Sequence, residues 1–195
     1  MLSSPVSRFV LRVLGFLPFA FAIWYFAAPL LLWPAGWLIE AVAFAGFADL
    51  VQAVQQHAAS FTFVSTLHPG AARGGGAAVT VDVNALLYAF GMPLFAALTI
   101  AAGGPRRART LAIGYVALLP VVAWGVIADF LKNIAITSGP AIASQTGFSA
   151  AQREAVAFAF QFGSLILPTV VPAIVWVVTH RTYLLRTIAR GTAAP

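Results

Sequence analysis

The chain has 195 residues, 61% hydrophobic and 8% charged, with a mean hydropathy of +0.93, so it has too little polar surface to clothe a soluble globule of its size. Its formal charge of +6 is spread over short clusters that flank apolar runs and form no continuous stripe, which excludes nucleic acid as the partner. The absence of cysteine excludes disulfides, thiolate metal sites and cysteine nucleophiles in this chain.

In chain order, a first span is expected over 10–33, in which the run from Val13 to Trp33 behind Arg8 and Arg12 carries no charge and is long enough at about 1.5 Å per residue to span a hydrocarbon core of about 30 Å. The rival reading is a cleaved signal peptide, with Ala20-Phe21-Ala22 as its small-x-small site. The apolar run continues past that site to Leu32, which favours a membrane anchor. Trp33, Pro34 and Trp37 then mark an interface.

Residues 35–83 are expected to form an extracytoplasmic or interfacial insertion. It consists of a helix as far as about Gln56, interrupted by Glu40 and Asp49, followed by a two-stranded β-hairpin. The strands are 61–67 and 79–83, joined by a glycine-rich linker at 68–76.

A second span is expected over 85–102, capped by Asn84, with a cytoplasmic loop at 103–110 that holds Arg106, Arg107 and Arg109. Thr110 is placed to cap a third span over 111–131. After an extracytoplasmic loop at 132–149, Ser149 and Gln152 have the spacing of a capping box for a fourth span over 150–179. Residues 180–195 form the closing tail.

The expected fold is therefore an all-α membrane protein: one unit with four transmembrane helices and a small helix-plus-hairpin insertion between the first two. The arginines set the orientation. With the N-terminus inside, Arg8, Arg12, Arg106, Arg107, Arg109, Arg181, Arg186 and Arg190 are all cytoplasmic. Arg73, Lys132, Arg153 and all five acids, Glu40, Asp49, Asp82, Asp129 and Glu154, then lie on the outer side.

Asp129, Lys132 and Asn133 stand at i, i+3 and i+4, so one helix face carries an ion pair at the outer boundary. Arg153 and Glu154 open the fourth span in the same layer, and Gln161 lies nearly on their helical face within the apolar run. These six residues make a candidate functional or interhelical polar layer. A snorkelling ion pair accounts for the charges, and an amide contact between helices accounts for Gln161.

His57 and His68, with Glu40 and Asp49, match no ligand spacing, so no metal and no cofactor are expected. No Gly-x-Ser-x-Gly occurs, and Gly74-Gly75-Gly76 leads into a strand, so neither a serine nucleophile nor a phosphate loop is expected. Prolines in every expected span point to kinked packing over a translocation path.

Several blocks carry a family resemblance. They are Leu17-Pro18-Phe19-Ala20-Phe21-Ala22-Ile23-Trp24-Tyr25, Asn84-Ala85-Leu86-Leu87-Tyr88-Ala89-Phe90-Gly91-Met92-Pro93-Leu94, the stretch from Trp124 to Lys132, and Phe148-Ser149-Ala150-Ala151-Gln152-Arg153-Glu154 through Gln161-Phe162-Gly163 to Leu167-Pro168-Thr169. In these the chain resembles the exosortase H-associated membrane proteins, small multispanning proteins of Gram-negative bacteria. The resemblance implies a bacterial inner-membrane location and a role beside an exosortase, a membrane enzyme that uses a cysteine to process sorted proteins. A chain without cysteine is then expected to assist such an enzyme, with membrane lipid and another membrane protein as its partners. The resemblance transfers no catalytic residues. The alternatives are an outer-leaflet transferase built on Asp129, Lys132, Arg153 and Glu154, or a small transporter.

Overall fold

The computed structural model describes residues 5–69 and 77–185. Arg73, the glycine run 74–76, Arg186 and Arg190 lie outside the described residues.

Two helices open the chain, α1 (Pro5–Leu31) and α2 (Trp33–Phe47), broken at Leu32. Pro34 has no N–H for the carbonyl four residues back and sits in the first turn of α2, where a helix needs none. Side chains from elsewhere serve the carbonyls near the break. Gln56 Nε2 donates to the Pro29 carbonyl at 3.1 Å, and Tyr115 Oη donates to that of Leu31 at 2.7 Å. On α2, Leu32, Ala35, Ile39 and Ala43 form one buried stripe at helical spacing. Its other faces expose Trp33, Trp37, Val42 and Phe44, an apolar surface unsuited to a water-borne domain.

The helix expected to run to Gln56 ends at Phe47. The chain then enters a strand, β1 (Val51–His57), and the expected two-stranded hairpin is a three-stranded antiparallel sheet with β2 (Ser60–Ser65) and β3 (Thr80–Asn84), in the order β1-β2-β3. Ala58, at φ 54°, turns the chain between β1 and β2. Register places Phe61 opposite Val83 and Phe63 opposite Val81, all four buried on one face. Thr62 and Asp82 pair on the other face, where the Thr62 hydroxyl donates to the Asp82 carboxylate. Phe63 stacks on Phe130 with centroids 4.4 Å apart and planes 14° from parallel, which seats the sheet on the helices.

Next come α3 (Leu86–Ala89) and α4 (Gly91–Ala102). The N-cap position of α3 falls on Ala85 and not on the expected Asn84, whose side chain still accepts from the Leu86 amide at 3.0 Å. Gly103 and Gly104, at φ 73° and 111°, end α4. α5 (Arg107–Lys132) begins three residues before Thr110, which therefore does not cap it; the Thr110 hydroxyl instead bonds back to the Arg106 carbonyl. α5 widens into a π-helix, Asn133–Thr137. A short α6 (Pro140–Ala143) and a 3₁₀ turn, Ser144–Thr146, lead to α7 (Ala150–Gln161). The Ser149–Gln152 capping box is formed with both bonds present. A second π-helix, Phe162–Ile166, joins α7 to α8 (Leu167–Thr179).

Three helical stretches are long and apolar enough to cross a membrane: Val6–Leu31, Arg107–Thr137 and Ala150–Thr179. The expected second span is a shorter apolar helix, Leu86–Ala102, interrupted at Phe90. The structure is thus mostly helical, with three candidate spans and a small sheet. Half of the apolar window of α5 is buried, against 11% for α1 and 22% for α7–α8, so α5 is the hub on which the others pack. Glycines let them approach it closely. A Cβ at Gly114 would sit 2.0 Å from Phe95, and one at Gly125 would sit 2.2 Å from Tyr88.

Candidate functional site

The last turn of α5 carries Asp129 and Lys132, and the first residue of the following π-helix, Asn133, joins them. Asp129 Oδ1 lies 2.8 Å from Lys132 Nζ and accepts from Asn133 Nδ2 at 3.0 Å. Its Oδ2 accepts from Tyr88 Oη on α3 at 2.8 Å. The carboxylate thus holds three donors and is largely buried, with its side chain 13% exposed. Asn133 Nδ2 also reaches the Asp129 carbonyl at 2.8 Å. Lys132 Nζ stands 4.0 Å from the centroid of the Phe160 ring on α7, so its charge is shared between a carboxylate and an aromatic face. The cluster is electrically balanced and ties α5 to both α3 and α7.

Two of its members escaped the sequence reading. Tyr88 lies 41 residues from Asp129 along the chain, and neither it nor Phe160 has a local spacing that would link it to that carboxylate.

Among the described residues no ion pair or hydrogen bond joins Arg153 or Glu154 to this cluster. They line a shallow groove of about 680 Å³ with Ile136, Gly139, Pro140 and Ser144, and neither Asp129 nor Lys132 belongs to its wall. Gln161 is placed differently from expectation. It is exposed at the end of α7, and its carboxamide makes no hydrogen bond among the described residues. The contact expected of it is made by Trp124 Nε1, which donates from α5 to the Ala159 carbonyl of α7 at 3.0 Å.

The sheet is tethered to the loop ahead of α7. Gln145 Oε1 accepts from the His68 amide at 3.2 Å, and Gln145 Nε2 donates to the His68 carbonyl at 2.8 Å. One side chain thereby mimics a strand partner and fixes the exit of β2. Phe130, one residue from Asp129, is the ring on which the sheet stacks. The charged cluster and the sheet therefore form one continuous end of the molecule.

The model of one protein family, described as exosortase H-associated membrane protein, matches residues 3–183. The chain belongs to this family. Comparison with curated proteins and with solved structures gave no match. Membership associates the chain with an exosortase system and with a membrane location, and the apolar helices agree with the latter.

Proposed function

We propose that this chain is a non-enzymatic accessory subunit of an exosortase-type protein-sorting system, which docks a membrane partner or that partner's substrate at its sheet-bearing end. In this reading it sits in the bacterial inner membrane with four crossings. Leu86–Ala102 supplies the second crossing, and both termini are cytoplasmic. Family membership is the observation that carries the proposal. The state of Asp129 supports it: Tyr88, Lys132 and Asn133 take three of the roughly four acceptor sites of its carboxylate, which suits a fastener between helices. The transferase alternative requires Asp129 and Lys132 to work with Arg153 and Glu154, and no ion pair or hydrogen bond joins the two pairs among the described residues.

Co-purification from native membranes tests the proposal. An exosortase enriched with the tagged chain, and sorting impaired by its deletion, are the expected results. Recovery of the chain alone, with sorting intact after deletion, would overturn it.

A further inference from the structure

We propose that the exposed face of α7 around Gln161 is a self-association surface, on which two copies of this chain pair through their Gln161 carboxamides. Several observations converge there. None of the twelve residues of α7 is fully buried, although the helix opens a 30-residue apolar stretch. Phe158 and Leu165, at i−3 and i+4 from Gln161, are 68% and 69% exposed and share its face. Between them stands an amide, seven residues or about 10 Å of helix beyond Glu154.

Hydroxyls in the same stretch satisfy themselves by bonding back to their own helix. Ser164 does so to the Gln161 carbonyl, and Thr169 to those of Leu165 and Ile166. The Gln161 carboxamide makes no such bond among the described residues, and lipid tails along an apolar stretch supply none. An amide left unpaired in hydrocarbon costs several kcal/mol.

A second copy fits this requirement better than an arbitrary helix. A carboxamide presents a donor and an acceptor side by side, so two of them at equal depth across a twofold axis satisfy each other. A twofold interface brings each residue against its own counterpart. The spacing 158, 161, 165 is that of a seam between two helices, and one polar residue in an apolar seam fixes register and partner number. Trp124 of α5 bonds the Ala159 carbonyl and Lys132 faces Phe160, so those residues of α7 meet the protein while Phe158 and Gln161 stay exposed. Self-association through this face does not depend on the accessory role.

The natural absence of cysteine makes the test direct. Single-cysteine F158C and L165C chains, oxidised mildly in native membranes, are expected to form disulfide-linked dimers, whereas F26C, on the exposed face of α1, is expected to form none. Adding Q161L to F158C should lower the dimer yield about fivefold, the loss of one interhelical amide pair, while Q161N should preserve most of it. Equal abundance of the chain in all variants separates lost pairing from lost folding. No dimer from F158C and L165C, a yield indifferent to Q161L, or a cross-link from residue 158 to a different membrane protein would each overturn the proposal.

Discussion

Asp129 shows what a single buried carboxylate does when every donor around it is committed. Removing it strands the Tyr88 hydroxyl and the Lys132 ammonium together, so D129A is expected to lower stability by about 2 kcal/mol, whereas Y88F, which deletes one bond and leaves no charge unpaired, should cost about 1 kcal/mol. Thermal unfolding in detergent measures both, and equal costs would mean that the Lys132 pair contributes nothing. His180 makes a different test at the far end of α8. Its ring stacks on Trp176 at 5.1 Å, and burial holds the imidazole below its ordinary value of 6.5, an effect that the hydrogen bond to the Trp176 carbonyl only partly offsets. The folded chain therefore resists protonation there while the unfolded chain accepts it. The associated stability is complete above about pH 6.5 and declines as pH falls through that value toward the lower folded-state one. H180Q should flatten this part of the profile of unfolding temperature against pH, and an unchanged slope would place the titration elsewhere. At this scale the sequence was informative where neighbours are local. The 129, 132, 133 spacing exposes its cluster directly, whereas Tyr88 enters only when the fold closes a loop of 41 residues.

Between elements, contacts are set by small residues and redirected carbonyls. Gly125 lets the Tyr88 ring lie against α5 and so positions its hydroxyl for Asp129; Gly114 does the same for Phe95. G125A and G114A should each destabilise by about 1–3 kcal/mol through overpacking, and G125A should also abolish the further effect of Y88F. G15A and G46A, helix positions where an added Cβ meets nothing within 4 Å, serve as controls that should not destabilise. The break at Leu32 gives a second test. Q56A removes the amide that holds β1 to the Pro29 carbonyl, and faster backbone hydrogen exchange in β1 than in β3 is the expected result. β1 itself explains why the sequence misled. Gln52, Gln55 and Gln56 repeat at i, i+3 and i+4, the period of a helix face, and Val51 and Val54 keep a similar period. That weak preference loses to pairing with β2 across the tight turn at Ala58, in a sheet whose buried face holds Phe61 and Phe63. The capping box at Ser149 and the terminating glycines were legible because a helix end is decided by the few residues around it.

At the scale of the whole molecule, the two ends differ in chemistry. Phe9 packs against Trp176 and Tyr183, so the Arg8 and Arg12 end of α1 meets the Arg181 end of α8. The opposite end of α5 carries the sheet, the Asp129 cluster and, nearby, the Arg153 and Glu154 groove. Arginines resist translocation, so the proposed orientation keeps the first end in the cytoplasm and presents the second to the far side, where a sorting enzyme would meet exported substrates. Impermeant maleimide decides this in a chain with no natural cysteine to confuse the label. Q55C lies on the exposed face of β1, and A108C lies in the exposed first turn of α5. Intact cells should label Q55C and spare A108C, and permeabilised cells should label both. The reverse pattern would invert the molecule and move the proposed docking end into the cytoplasm. Labelling of both in intact cells would mean an even number of crossings between residues 55 and 108, against the single crossing that Leu86–Ala102 is proposed to make. That helix is the shortest of the four and is interrupted at Phe90, so it is the crossing on which this measurement bears most directly.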